Sequence, residues 1–158
     1  MEKIYKDAVL PALSMLPQRM WSAEAIVMLL AIGLQESRLI HRRQIGGPAR
    51  GLLQFERGGG VMGVLKFHST AALAKEVCNK RGVLPYAAEV YHQLEHDDIL
   101  AMAFGRLLLW TDPKALPRVG DVEGAWDLYM RTWRPGKPHR KTWDALYTKA
   151  AAFVGETA

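Results

Sequence analysis

Apolar side chains recur at helical intervals along most of the chain. From Lys3 to Leu16 they fall three or four positions apart, and Pro17 ends that pattern. Ser22 is placed to cap a second helix that runs to about Glu36, because its hydroxyl can accept an amide N–H of the first turn. The same periodicity predicts further helices at residues 71–80, 85–94, 97–110, 121–133 and 141–154. The predicted fold class is therefore all-α.

Glycine, proline and short polar residues divide these helices. Ser69 is the expected N-cap of the helix at residues 71–80, and Gly82 occupies the place of a C-terminal glycine. Residues 41–50 hold two glycines, one proline and three arginines, a composition too irregular for a helix. No stretch alternates long enough to predict a strand, so we expect at most one short β-hairpin near residues 40–50.

Length and composition predict one globular domain, residues 1–158. The chain is 49 % hydrophobic and 23 % charged, and a domain of this length folds without disulfides or a structural metal. Cys78 is the only cysteine, which excludes an intrachain disulfide and any site built on cysteine pairs. The five histidines show no metal-ligand spacing, so we expect neither a metal nor a cofactor.

Targeting signals and charge narrow the function only slightly. Residues 1–7 lack the apolar segment of a signal peptide, so no secretory signal is expected. The longest apolar run, residues 25–34, is shorter than the roughly 18 residues that a membrane span requires. The net charge of +5 favours anionic partners, namely nucleic acid, a membrane surface or an acidic cell-wall polymer.

Glu36 ends the most apolar of the predicted helices. The residues that share its face are Ala25, Met28, Leu29 and Ile32. A carboxyl beside an apolar stripe is partly desolvated, which favours its neutral form and raises its pKa. A raised pKa suits a general acid that protonates a glycosidic oxygen near neutral pH. On this pattern alone, a glutamate that simply ends its helix in solvent is the commoner arrangement.

A second motif follows at a fixed distance. Glu36-Ser37 is followed by Gly47-Pro48-Ala49-Arg50-Gly51-Leu52-Leu53-Gln54, with Gly51 standing 15 residues after Glu36. The two segments resemble the Glu-Ser pair and the Gly-Ala-x-Gly-Leu-Met-Gln stretch of soluble lytic transglycosylases and goose-type lysozymes, at the separation found there. The resemblance covers residues 25–56 well and the C-terminal helices loosely. The chain also looks like lysozyme-domain proteins of tailed bacteriophages.

The resemblance implies a lysozyme-like helical domain. Its expected reaction is cleavage of the β-1,4 bond between N-acetylmuramic acid and N-acetylglucosamine in peptidoglycan, with Glu36 as general acid and base. Ser37 and Gln54 would line the cleft and hydrogen-bond an N-acetyl sugar. The family's Tyr-Asn-Ala-Gly motif has its nearest counterpart at Tyr129, followed here by Met130-Arg131-Thr132. Tyr129 would contact the glutamate or the sugar, although it could equally be a core aromatic residue.

The second carboxylate is an open question. Ordinary glycosidases use two carboxylates, whereas lytic transglycosylases use one because the muramic acid 6-hydroxyl attacks internally. Glu56 is the best second candidate, ahead of Asp97, Asp98 and Asp127. The sequence therefore leaves open whether the enzyme is a hydrolysing muramidase or an anhydro-forming transglycosylase. Trp133 and Trp143, which lie among arginines and lysines, are candidates for stacking on sugars or on bases, although tryptophans in the core beneath a solvated basic surface are the commoner arrangement.

The expected partners and location also come from the resemblance. They are peptidoglycan glycan strands and, for a virion component, other phage virion proteins. The protein would reside in the phage virion or the bacterial host cytoplasm and act on the periplasmic cell wall.

Two alternatives stand beside this interpretation. The altered third motif favours a catalytically inactive phage structural protein with a lysozyme-like fold. The net charge and the arginine clusters favour a helical nucleic-acid-binding module. That second alternative leaves the spacing of Glu36 and Gly51 unexplained, so nucleic acid is not the expected partner.

Overall fold

The computed structural model describes residues 1–157. Within them lie eight helices: α1 (residues 2–14), α2 (Ala23–Ser37), α3 (Met62–Lys66), α4 (Ala71–Arg81), α5 (Ala87–Leu94), α6 (Asp98–Trp110), α7 (Val122–Trp133) and α8 (Arg140–Thr157). The middle of α1, Tyr5–Val9, is π-helical, and a second π-helical segment, Arg57–Val61, leads into α3. A 3₁₀ turn at Gln18–Met20 precedes α2. The all-α fold class is confirmed.

The segment between α2 and α3 folds as a tight loop. Arg43 pairs with Arg50, and Arg50 with Phe55, in two isolated antiparallel bridges. No longer strand pairing occurs in residues 1–157, which agrees with the expectation of at most one short hairpin near residues 40–50.

Side-chain caps form at three helix starts, of which the Ser22 cap was predicted and the other two lie where the predicted helices begin. The amides of Ala25, Leu100 and Gly124 donate to Ser22, Asp97 and Asp121 at 3.1, 3.0 and 2.9 Å. Each bond satisfies an N–H group that the first turn of a helix leaves without a backbone partner. These caps confirm the predicted beginnings of α2, α6 and α7.

The predicted cap of α4 is wrong. Thr70, not Ser69, precedes the helix, and its hydroxyl donates to the Val64 carbonyl at 2.7 Å instead of capping the helix. Thr70 is buried, so its hydroxyl satisfies the nearest buried carbonyl. Gly82 ends α4 in the left-handed conformation, as predicted.

The centre of the core is built on α2 and α6. Residues 25–34 of α2 and 100–109 of α6 are buried, and α2 packs most extensively on α8. Gly105 allows the loop before α3 to approach α6 closely, since a Cβ at this position would clash with the Leu53 side chain. Leu53 is fully buried against the α6 backbone. This contact fixes the loop against both the core and the end of α2.

The single cysteine is part of the core. Cys78 in α4 is fully buried, and burial raises the pKa of its thiol to about 11.

Among the described residues, none of the helices combines the length and apolarity that a membrane crossing needs.

Candidate active site

A cleft of about 540 Å³ lies between the end of α2, the loop before α3, and α7 with the segment that follows it. Four of the five predicted site residues line this cleft: Glu36, Gln54, Glu56 and Tyr129. They come from three separate parts of the chain, and the fold brings them to one place. The fifth residue, Ser37, does not line the cleft.

Glu36 lies in the last turn of α2 and is half-buried. The Tyr129 hydroxyl donates to its Oε1 at 2.6 Å, and no ion pair involving Glu36 forms within residues 1–157. Burial raises the pKa of Glu36, the hydrogen bond from Tyr129 opposes that shift, and the negative charge of Glu56 adds to it. The net result is a raised pKa. Glu36 therefore holds its proton to higher pH than a solvated glutamate does, as a general acid requires.

Tyr129 combines a core ring with a hydroxyl in the cleft. Tyr129 is 2 % exposed, and its ring stacks on the Trp143 ring, with centroids 5.2 Å apart and planes inclined by 8°. The stacking fixes the direction of the hydroxyl toward Glu36. Burial and the neighbouring Glu36 carboxyl raise the pKa of Tyr129, so its hydroxyl stays protonated and acts as a donor.

The two tryptophans differ in position. Trp143 is fully buried, so it is a core tryptophan and cannot stack on a ligand. Trp133 is half-buried, lines the cleft, and donates from Nε1 to the Leu53 carbonyl at 2.9 Å. Trp133 is thus available both to hold the loop and to present its ring to a ligand.

Ser37 faces the core, so the expectation that it lines the cleft is corrected. It is 4 % exposed, and its hydroxyl donates to the Leu52 carbonyl at 2.6 Å and accepts the Leu39 amide at 3.2 Å. Neighbouring residues on a helix point about 100° apart, so Ser37 cannot share the direction of Glu36. The Ser37–Leu52 bond gives a physical reason for the spacing between the two motifs, because it ties the end of α2 to the Gly-Leu-Leu-Gln turn.

The turn that carries Gln54 has a constrained backbone. Gly51 adopts a φ of 79°, and a Cβ there would come within 3.0 Å of the Leu94 carbonyl oxygen, so glycine is required. Gln54 Nε2 donates to the Gly51 carbonyl at 2.8 Å. Because a carbonyl only accepts, the amide nitrogen must face it. The side-chain oxygen of Gln54, Oε1, is then free to accept an N–H from a ligand in the cleft.

The opposite wall depends on Gln35, to which the sequence analysis assigned no role. Gln35 Nε2 donates to the His139 carbonyl at 3.0 Å, and Gln35 Oε1 accepts the Thr142 hydroxyl at 2.9 Å. These bonds attach the segment after α7, of which residues 134–137 and 139 line the cleft, to the end of α2. More than a hundred residues separate the partners, so no local pattern could have indicated the contact.

Comparisons with family models, with curated proteins and with solved structures found no match to this chain. Within residues 1–157 no group of three or more histidine, cysteine, aspartate or glutamate side chains is arranged to hold a metal ion.

The buried bond of Ser37 leads to a first prediction. Ser37→Ala should lower the free energy of unfolding by about 1–3 kcal/mol, because it leaves the buried Leu52 carbonyl without a donor. Urea unfolding followed by circular dichroism measures the change. Ser69→Ala, which alters an exposed serine, is the matched control and should stay within about 0.5 kcal/mol of the wild type. Equal effects of the two substitutions would show that the Ser37 bond has no special weight.

Proposed function

We propose that this protein cleaves the β-1,4 glycosidic bond between N-acetylmuramic acid and N-acetylglucosamine in peptidoglycan. The observation that carries the proposal is a half-buried Glu36 with a raised pKa, hydrogen-bonded to Tyr129, in a cleft shared with Gln54. The choice of substrate rests on the resemblance of residues 25–56 to lytic transglycosylases and goose-type lysozymes. Peptidoglycan glycan strands are the proposed partner.

In the proposed mechanism, neutral Glu36 donates its proton to the glycosidic oxygen as the bond from that oxygen to the muramic acid C1 breaks. The resulting carboxylate is stabilised by the hydroxyl of Tyr129, which already donates to Oε1. Glu36 then accepts the proton of the attacking hydroxyl. That hydroxyl belongs either to C6 of the muramic acid, giving a 1,6-anhydro product, or to water, giving hydrolysis.

Three arginines of the arginine- and lysine-rich segments at residues 38–57 and 131–141 are paired with carboxylates, which weakens the case for a nucleic-acid-binding module. Arg131 pairs with Asp112 at 2.9 Å, and Arg42 pairs with Asp98 at 2.8 Å. Arg140 is engaged by the carboxylates of Glu123 and Asp144. Arginines whose charge is balanced in this way add little to the attraction of a phosphate backbone.

The direct test is to incubate the purified protein with purified peptidoglycan and to measure the masses of the soluble products by mass spectrometry. The proposal expects muropeptides to be released. Anhydro products are lighter than hydrolysed ones by one water, so the same spectrum separates transglycosylase from muramidase. A folded protein that releases nothing would favour the inactive structural protein with a lysozyme-like fold.

Glu56 supplies a test of the one-carboxylate mechanism. Its side chain is exposed on the cleft wall, so we expect Glu56→Gln to keep most of the cleavage activity. If Glu56 instead activated a water, its loss would cost about 10²–10⁴ in rate, and the two carboxyls would work about 6.5–9.5 Å apart. Initial rates of turbidity loss measure the effect. A Glu56→Gln variant with native circular dichroism and no activity would establish a two-carboxylate hydrolase.

Tyr129 supplies a test of the proton donor. Its hydrogen bond favours the ionised form of Glu36 and lowers the pKa of that carboxyl. Tyr129→Phe removes the bond, so the pKa of Glu36 should rise. Glu36 then retains the proton needed for catalysis to higher pH, so the alkaline limb of the pH–rate profile should shift toward higher pH. Tyr5→Phe, which lies outside the cleft lining, is the control and should leave the limb in place. An alkaline limb that moves downward would contradict Glu36 as the acid.

A further inference from the structure

A second cavity, of about 650 Å³, lies where the start of α2 meets the end of α6 and residues 112–118. It shares no lining residue with the cleft. Four cationic side chains belong to its walls: Arg19, Arg106, Lys114 and Arg118. The carboxylates in its lining are Glu24 and Asp112.

Arg106 is the unusual member of this group. It lies within α6 and is 3 % exposed, a degree of burial that arginine rarely reaches without a partner carboxylate. Its Nε donates to the Met20 carbonyl at 2.7 Å, but its Nη1 is buried without a hydrogen-bond partner. No carboxylate pairs with Arg106 within residues 1–157. Arg106 therefore carries a desolvation cost that no carboxylate offsets, and an anion in the cavity that Arg106 lines would balance its charge.

The balance of charge in the cavity is positive. Asp112 accepts two hydrogen bonds from Arg131, at 2.9 and 3.1 Å, so its charge is already neutralised from outside the cavity lining. Glu24 is then the remaining carboxylate opposite four cations. An anion bound here would need more than one negative charge to balance the excess.

Trp110 holds two of the cations in place. The guanidinium carbons of Arg19 and Arg106 lie 5.6 and 5.5 Å from the centre of the Trp110 ring, within the range of a cation–π interaction. The ring thereby orders Arg19, whose side chain is otherwise exposed, before any ligand arrives. Preordered cations lose less conformational freedom on binding.

We propose that this cavity binds a phosphate group, either as free inorganic phosphate or as part of a small phosphomonoester. A phosphomonoester carries about 1.5 to 2 negative charges near neutral pH and three acceptor oxygens, and inorganic phosphate carries a fourth oxygen, which matches the excess of cations better than one carboxylate does. Guanidinium groups present their donors in the planar arrangement that phosphate oxygens accept. The volume is also in the range of small-molecule sites, so there is room for more than the bare ion.

The experiment is calorimetric titration of the full chain, at low ionic strength, with inorganic phosphate and separately with glycerol 3-phosphate. Saturable binding is expected for at least one of the two. Arg106→Met and Lys114→Ala should each weaken it about 10- to 100-fold, the usual weight of a charge-assisted hydrogen bond. Lys75→Ala removes one exposed positive charge outside the cavity lining and should change the affinity less than about twofold. Lys114 is exposed, so Lys114→Ala keeps the test decisive even where Arg106→Met impairs folding.

The two probes also distinguish the source of the phosphate. Tighter binding of glycerol 3-phosphate would identify a phosphomonoester site, and equal or weaker binding would identify a site for the free ion. Three results would overturn the proposal: no saturation by either probe up to about 10 mM, unchanged affinity in Lys114→Ala, or an equal loss in Lys75→Ala. The readout is binding, so the result is independent of whether the chain cleaves peptidoglycan.

Discussion

Glu36→Gln should remove nearly all peptidoglycan cleavage and, at neutral pH, make the protein more stable. Glutamine keeps the shape of the side chain and can still accept the Tyr129 hydroxyl, but it has no proton to give to a glycosidic oxygen. General acid catalysis contributes about 10²–10⁴ in rate, so a loss of at least that size is expected. Turbidity loss of a peptidoglycan suspension measures it directly.

The stability change follows from the pKa of Glu36. Burial raises that pKa, so the folded protein binds the proton more tightly than the unfolded chain does. This contribution to stability is complete below the pKa of the unfolded chain, and it is lost as the pH rises through the raised pKa of the folded state. Above that range a buried carboxylate destabilises the fold, and Glu36→Gln removes it. The melting temperature should therefore rise at neutral pH, and the gain should shrink in acid.

The matched control is Glu76→Gln, at an exposed position in α4 that is not part of the cleft lining. It should alter neither the cleavage rate nor the melting temperature beyond experimental error. A Glu36→Gln variant that still clears peptidoglycan at a rate near that of the wild type would refute the proposed acid. Loss of activity together with a lower melting temperature would instead point to a structural role for Glu36.

Leu53→Ala should cause the largest loss of stability among the substitutions in the loop before α3. Leu53 is fully buried and packs on the backbone of α6 at Gly105, where there is no side chain to fill the vacated space. Truncation of a buried leucine to alanine costs about 2–5 kcal/mol, and sites that cannot collapse lie at the upper end. Urea unfolding followed by circular dichroism gives the difference.

Leu84→Ala is the corresponding control, because Leu84 is 60 % exposed. It should change the free energy of unfolding by less than about 0.5 kcal/mol. If Leu53→Ala had an effect no larger than the control, the loop would not be anchored through this contact. The position of Gln54, which follows directly in the chain, would then need another explanation.

Most of the helices could be predicted from local sequence patterns, because the start of a helix is determined by contacts within a few residues. The amides that donate to Ser22, Asp97 and Asp121 lie only three positions later, so these contacts are local. Thr70 shows the limit, because its hydroxyl bonds to Val64, a residue on the preceding helix. A contact between two helices can override a local capping preference, and the spacing of residues in the sequence does not indicate it.

The candidate site was only partly predictable for the same reason. Glu36 was selected by the second motif at its fixed distance, because its place at the end of an apolar helix does not by itself distinguish it from a solvated glutamate, and its contact with Tyr129 was expected from the resemblance alone. The resemblance placed Ser37 in the cleft, whereas the side chains of Glu36 and Ser37 diverge around the helix and Ser37 is buried. The bond from Gln35 to the opposite wall joins segments that only the completed fold brings together.

The burial of Cys78 has a practical consequence for chemical labelling. A thiol with a pKa of about 11 is ionised in only about one molecule in 10⁴ at neutral pH, and this one has no accessible surface. Alkylating reagents should therefore leave the folded protein unmodified. A cysteine introduced at an exposed position such as His139 would then be the single site to accept a spin label or fluorophore. Probes placed on either side of the cleft could report its width in solution without first removing the native thiol.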